Sequence, residues 1–509
     1  MLPSVAKTIL PSIPSAKKLY NVVITSDRTM DEFLAEVKRT FEAPLQLSAL
    51  LDISAKLKAQ YKQRLLESDA PCMLPSYNHT LPTGEERGTY LALDVGGSTF
   101  RVALVELKGK DLGEKGMEIV KMVSYKIDNS ITALKGRLFF DWMAEKIEQT
   151  LAEPEVQSHR GSKVLPMGLA WSFPVEQTSP RSGKLKRMGK GFGADHGCVD
   201  IDLCELIMDS CRKRNLQVTL DAIVNDGTAT LLSRAYRDPA TRLALILGTG
   251  TNAAIHLPVT ALSQEKFGQR PQSWHDEATH VLVNTEMSMF GKGIHKVSKW
   301  DDDLNEHHQK KDYQPFEHLI SGRYLGEIVR LIVVEAVADA GLFEGRLPDG
   351  MDIPYNFYTD LMAQLEADET PSLSKSMYAL QKAHPLPASH PYTRTDVVYL
   401  RQICQLVSQR AAAYLASGVH ALWSLRLDEE GLSPDAEDHV TIGCNGSVIE
   451  KYPGFRERAQ AYLDELCVRS GGRRGGIVLE IAIESAIYGA AVAVCALEGQ
   501  DAGVDGKVG

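Results

Sequence analysis

With 509 residues the chain is too long for one hydrophobic core, so two lobes or domains are expected. Hydrophobic residues make up 44% and charged residues 24%, the balance of an ordinary soluble globular protein. A formal net charge of -10 leaves no basic excess to neutralise phosphates, which excludes a general nucleic-acid binder; the basic run Lys184 to Lys190 is only local.

Eight cysteines without any C-x-x-C pair fit a reducing compartment and no structural zinc. No apolar run reaches the length of a membrane span, and the N-terminus lacks the compact apolar core of a secretory signal. A cytoplasmic protein is the expectation, with mitochondrial association and the nucleus as alternatives. Residues 1–28 read as a tail. Lys7, Lys17 and Lys18 stand among serines with no acid before Asp27, which leans toward a mitochondrial leader, whereas the absence of arginine before Arg28 leans toward a solvated tail.

Residues 29–68 place Phe33, Val37, Phe41, Leu50, Leu51, Ile53 and Leu57 at helical spacing. A connector punctuated by Pro71, Pro75, Pro82 and Gly84 follows. In Tyr90 to Val105 two β-branched, apolar runs meet at Gly96-Gly97, a hairpin signal, and a third strand at Ile119 to Ile127 completes a meander. A helix at Leu138 to Leu151 leads to a strand ending in Ala170-Trp171, then Ser172-Phe173-Pro174, a polar loop from Val175 to Gly197, and a helix from Asp202 to Arg214.

The stretch Ala222-Ile223-Val224-Asn225-Asp226-Gly227-Thr228 reads as a buried strand, a turn and the start of a helix, which delivers Asp226 to a strand's carboxyl end. Open α/β sheets put their chemistry there. A carboxylate in that place can accept a proton from an attacking hydroxyl. The alternative is a helix N-cap, with the Asp226 side chain bonding the first free amides.

Next, Leu243 to Ala253 repeats the first hairpin: Leu91-Ala92-Leu93 falls on Leu243-Ala244-Leu245, and Gly96 on Gly248. The offset is far longer than a solenoid period, so it predicts duplicated lobes, each presenting a Gly-rich hairpin. Bare backbone N–H groups at such turns suit phosphate, although a pair of ordinary tight turns would look the same. Farther on come a strand at His280 to Asn284, an acidic loop from Asp301 to Asp312, helices at Gly322 to Ala340 and Thr395 to Leu425, strands at Val440 to Ile442 and Gly476 to Ile483, and a helix from Ser485. Residues 499–509 read as disordered.

Taken in order, the motifs from Asp94 to Gly489 resemble the eukaryotic hexokinase family over nearly the whole chain. The resemblance implies an α/β, two-lobed actin-like ATPase (ribonuclease H-like) fold with a central cleft. Residues 29–82 and 220–478 would form the large lobe, and 83–219 and 479–498 the small one. It implies ATP-dependent phosphorylation of a hexose, glucose, at its 6-hydroxyl, with ATP and Mg2+ required. In Asp94-Val95-Gly96-Gly97-Ser98-Thr99-Phe100-Arg101 it implies an ATP-phosphate loop, with Asp94 near the metal. Thr249 and Gly250 match the second phosphate loop, and Gly443, Gly446 and Ser447 the adenosine segment. Ser172, Lys190, Asn225, Asn252, Glu286 and Glu317 match sugar contacts, and Asp226 the base. A ring of hydroxyls needs many oriented donors and acceptors, which this set supplies; phosphoryl transfer needs positioning and cationic stabilisation, which Lys190 and Arg101 suit. Closure of the lobes would exclude water.

The sequence departs from that pattern at several points. Gly189 replaces a threonine before Lys190, and Met287-Ser288-Met289 replaces the residues after the sugar-binding glutamate. On the nucleotide side Ser98-Thr99 stands for Thr-Asn, Asn445 for an aspartate, and Glu484-Ser485-Ala486-Ile487 for Asp-Gly-Ser-Gly. A β-branched Ile487 at a position of positive φ would force a different loop. Two readings follow. Asp226, Lys190 and Glu286 point to a working hexose kinase, whereas the altered loops point to a hexokinase-like protein that binds sugar and reports it to a protein partner.

Overall fold

The computed structural model describes residues 28–160, 164–189 and 191–505. The leader-like stretch up to Asp27, the candidate Lys190 and residues 506–509 lie outside them. The chain divides into two compact units, one of Met1–Ile53, Gly291–Ala416 and Lys451–Ala459, the other of Ser54–Phe290, Ser417–Glu450 and Gln460–Gly509.

The second unit holds both large sheets. Strands are β1 (Leu74–Pro75), β2 (Arg87–Val95), β3 (Thr99–Lys108), β4 (Met117–Lys126), β5 (Leu165–Trp171), β6 (Val175–Gln177), β7 (Gly183–Leu185), β8 (Val218–Val224), β9 (Thr241–Leu247), β10 (Thr251–Pro258), β11 (His280–Asn284), β12 (Val440–Asn445) and β13 (Ile477–Ile481). One sheet runs β4-β3-β2-β5-β8 and the other β1-β11-β10-β9-β12-β13. In each, an antiparallel meander is extended by two parallel strands. β2 thus corresponds to β9, and the internal repeat of the sequence is a repeat of architecture.

Both faces of the first sheet are covered, which explains the near-continuous apolar runs of its strands. Alternate residues of β2 serve different cores. Leu91, Leu93 and Val95 pack with Phe139, Phe140, Met143 and Ile147, while Tyr90 and Ala92 pack with Ala490, Ala491 and Val494. The second face is lined by small residues, Ala92, Ala103, Ala170 and Ala222, because the helix Ser485–Asp505 comes very close there. That helix also crosses the helix Asp226–Arg237 with Gly489 at the contact: a Cβ on Gly489 would lie 2.0 Å from the Ala229 carbonyl oxygen.

The first unit is helical. Its long helix Gly322–Ala340 is joined by Met30–Glu42, Lys299–His307, Pro315–Ile320, Thr359–Ala367 and Ser374–Ala383. The acidic stretch expected as a loop from Asp301 to Asp312 is helical in its first half. Ser298 and Asp301 form a capping box, and the Asp301 carboxylate is buried against Arg410 at 2.6 and 2.7 Å. Two further differences from the sequence reading are local. The polar loop 175–197 contains the β6–β7 hairpin, and the 485–505 helix continues into the stretch expected to be disordered, because helical bonding propagates from its packed N-terminal part.

Candidate active site

In the first sheet three parallel strands, β2, β5 and β8, end side by side, with Val95 opposite Trp171 and Ala170 opposite Val224. The residues that follow them, Gly96, Ser172 and Asn225, therefore emerge at one edge, where the Ser172 amide donates to the Val95 carbonyl at 3.2 Å. Asn225 and not Asp226 caps the helix: its Oδ1 accepts from the Thr228 amide at 2.6 Å. Asp226 is the first helical residue, and its Oδ1 accepts from the Gly227 amide at 2.8 Å. The N-cap alternative for Asp226 is thus overturned, since the residue before it has the extended backbone and the side-chain oxygen that capping requires.

In the second sheet β10 and β11 carry a linked row of polar side chains. Asn252 Nδ2 donates to Asn284 Oδ1 at 2.8 Å, and Asn284 Nδ2 donates to Glu286 Oε1 at 2.8 Å. Glu286 has a left-handed backbone, φ 49°, an uncommon conformation for a residue with a Cβ and one that is costly away from functional positions. The turn is held by Thr285, whose amide and hydroxyl both donate to the Ala253 carbonyl. Burial pushes the Glu286 carboxyl above its ordinary value, the Asn284 bond pulls it down, and the charge of Asp226 pushes it up again. Asp226 and Glu286 therefore feel each other, although they follow strands of different sheets. Asn284, which bridges Asn252 and Glu286, is a site residue that the sequence did not single out.

The first Gly-rich turn, Gly96 to Ser98, is closed by the Gly96 amide donating to the Thr99 carbonyl at 3.0 Å, while the Ser98 carbonyl accepts from Ile127 at 2.9 Å. Gly97 and Ser98 are exposed, and Thr99 begins β3. Asp94 lies opposite Arg101 across the hairpin. Arg101 Nε donates to Asp94 Oδ2 at 2.8 Å, and Nη1 donates to Glu484 Oε2 at 2.5 Å. Burial raises the Asp94 carboxyl, Arg101 opposes that rise, and Glu484 adds to it.

The second Gly-rich turn, closed by the Gly248 amide on the Gly250 carbonyl at 2.9 Å, exposes Thr249. It meets the segment after β12. Gly446 has φ 122°, and a Cβ there would lie 2.4 Å from the Leu247 carbonyl oxygen, so only glycine lets the two loops touch. Ser447 is exposed beside Gly248, and Gly443 lies inside β12 against Arg234. Asn445 Nδ2 donates to the Ala482 carbonyl at 3.3 Å, a bond that an aspartate there could not donate.

The expectation for Ile487 is corrected. Positive φ falls on Glu484, at 49°, and the helix starts at Ser485, so Ile487 is helical and fully buried. No loop is broken by its branched side chain. Glu317 belongs to the first unit, on the helix Pro315–Ile320, where it helps burial push the Tyr324 hydroxyl up to about 12.

Among the described residues no group of three or more His, Cys, Asp or Glu side chains is placed to hold a metal. Magnesium asks for less, one or two carboxylates plus phosphate oxygens. Asp94 fits that demand: it is a hard oxygen donor, 10% exposed near the end of β2, and both of its Arg101 contacts fall on Oδ2, which leaves Oδ1 as the oxygen that would face a metal. Among the same residues no helix is long and apolar enough to cross a membrane.

Two family models, both described as Hexokinase, match the chain, one over residues 34–236 and the other over 242–496. Hexokinase-2 of Oryza sativa subsp. japonica is 30% identical over 430 residues, covering 83% of each chain. The hexokinase of Schistosoma mansoni is 30% identical over 453 residues, 87% of this chain and 93% of its own. The structure of a Schistosoma mansoni hexokinase complexed with glucose superposes with a TM-score of 0.74 at 27% identity, over 92% of this chain and 99% of that one.

Proposed function

This chain belongs to the hexokinase family, and we propose that it transfers the γ-phosphoryl group of ATP to the 6-hydroxyl of glucose, with Asp226 as the base. Its duplicated α/β architecture is the actin-like ATPase fold that the sequence predicted. The observation that carries the catalytic reading is that strands of different sheets bring Asp226 and Glu286 to one place: a Cβ on Gly227, next to Asp226, would lie 3.5 Å from the Ala254 Cβ and 3.7 Å from the Ala253 carbonyl carbon, and the same Ala253 carbonyl holds the Glu286 turn through Thr285. A hexose between them would give a hydroxyl proton to one and a hydrogen bond to the other.

In the proposed mechanism Ser172, Asn225, Asn252 and Glu286 hold the sugar hydroxyls. Asn284 keeps Asn252 and Glu286 in register. Asp226, fixed by its place after the Asn225 cap, takes the 6-hydroxyl proton onto a carboxylate oxygen as the sugar's 6-oxygen attacks the γ-phosphorus and the bond from that phosphorus to the ADP oxygen breaks. Arg101 would oppose the charge of the transferred group, a part that the resemblance also implies for Lys190, and the amides of Gly97, Ser98, Thr249 and Gly250, on turns that Gly96 and Gly248 close, with Gly446 and Ser447, would cradle the nucleotide. Mg2+, when bound, supplies positive charge to the phosphoryl oxygens, and Asp94 is the carboxylate that would hold it.

The reading as a sugar sensor without turnover drew its weight from the altered nucleotide-side loops, above all Glu484 to Ile487, and the helical, buried Ile487 removes that largest part. Eight free cysteines suit the reducing cytoplasm proposed as its location. Incubation with glucose, ATP and magnesium, with product read by a glucose 6-phosphate dehydrogenase couple, tests the proposal. Product formed in proportion to enzyme supports it, and glucose binding without product at any ATP concentration rejects it.

A further inference from the structure

Glu484 stands where the 485–505 helix begins and reaches Arg101 on β3. One guanidinium thus answers two carboxylates from different elements, Asp94 through Nε at 2.8 Å and Nη2 at 2.5 Å, and Glu484 through Nη1 at 2.5 Å. The two contacts are not alike. Asp94 keeps only 10% of its side-chain surface open, whereas Glu484 keeps 32% and Arg101 28%, so the Arg101–Glu484 contact is the more open of the two to a solute.

The backbone of Glu484 has little freedom to withdraw. It is held in the left-handed region at φ 49°, and its carbonyl accepts from the Tyr488 amide at 3.0 Å. The next residue, Ser485, shares a buried hydrogen bond of 2.8 Å with the Thr230 hydroxyl. Gly489, one turn on, lies directly against Ala229. Glu484 is therefore an anion tethered next to the first Gly-rich turn by the same helix crossing that supports Asp226.

We propose that Glu484 is a built-in competitor of the nucleotide phosphates: it holds the Nη1 group of Arg101, whose Nε and Nη2 lie on Asp94, and a phosphate must take Nη1 from it before phosphoryl transfer. The proposal rests on the kinase reading above. Arginine makes the exchange feasible, because its fork of five N–H donors lets Nη1 turn to a phosphate oxygen while Nε stays on Asp94. Glu484 then acts as a positioning residue that sets ATP affinity and leaves sugar affinity alone.

The test is calorimetric titration of the full chain with MgATP in the absence of glucose, for the parent, Glu484→Gln and Glu484→Gly. Glutamine removes the charge at constant shape, and glycine relaxes the left-handed backbone, which protects against misfolding as the cause of a negative result. Both variants should bind ATP about fivefold more tightly than the parent, the gain shrinking in 1 M salt, with glucose affinity unchanged. A merely structural role for Glu484 predicts no tightening and no salt dependence of the difference. Equal or weaker ATP binding by folded variants overturns the inference and leaves the kinase reading standing. Absence of ATP binding in the parent and both variants overturns the two together.

Discussion

Replacing Ile487 by glycine, the change that would restore the expected Asp-Gly-Ser-Gly pattern at that position, should damage the protein. Ile487 is fully buried in the first turn of the 485–505 helix, in one cluster with Ala92, Ala103 and Val224. Truncating a buried isoleucine to alanine costs about 2 to 5 kcal/mol. Glycine in place of alanine within a helix adds about 1 kcal/mol. The sum, about 3 to 6 kcal/mol, is a large share of the roughly 5 to 15 kcal/mol that holds a typical domain together. Urea unfolding followed by tryptophan fluorescence and circular dichroism measures it, with Ile487→Val as a control expected to lose about 0.5 to 1.5 kcal/mol. If Ile487→Gly were within about 1 kcal/mol of the parent, residue 487 would be a turn position that wants glycine and the packing argument would be wrong.

Burial lowers the imidazoles of His79 and His384, and lowers His256 to about 3 and His295, His318 and His420 to about 4. A folded-state value below the unfolded one means stability fully present above about pH 6.5 and lost progressively as pH falls toward 4, because the unfolded chain takes up protons that the folded chain refuses. Melting temperature should fall steadily from pH 7 to pH 5; a flat profile would refute the burial of these rings. Gly489→Ala should destabilise by more than about 2 kcal/mol and lower turnover with it, since the added Cβ meets backbone of the helix that begins at Asp226; unchanged melting and rate would contradict the helix contact. Gly189→Thr should not improve glucose affinity, because Gly189 has φ +67° and a threonine there costs about 1 to 2 kcal/mol of backbone strain. A tighter glucose KM in that variant would show that the loop relaxes.

The sheets were legible because their strands are apolar runs punctuated by glycine, and the repeat of Leu91-Ala92-Leu93 in Leu243-Ala244-Leu245 carried through to matching strand order. The end of β8 was legible for the same reason, but Asn225 and Asp226 are both good capping residues and only the backbone decides between them. Ser298 and Asp301 are a capping box in a charged stretch whose polarity suggested a loop. Asn284 was hidden because a polar residue ending a strand carries no sign of its two partners, which lie on a neighbouring strand and past the turn. Glu484 was hidden more deeply: left-handed backbone is looked for at glycine, and here it falls on a glutamate one residue before a helix. Glu317 was identified by resemblance alone, since nothing in Phe316-Glu317-His318 distinguishes it from any other half-buried acid.

The central claim is that Asp226 removes the proton from a bound hexose as ATP is attacked. Asp226→Ala should therefore be assayed for glucose phosphorylation rate, glucose affinity and melting temperature on one preparation. The account predicts a loss of about 10²- to 10⁴-fold in rate with glucose affinity reduced only modestly, because Ser172, Asn225, Asn252 and Glu286 remain. Turnover close to that of the parent, accompanied by lost stability alone, would contradict it.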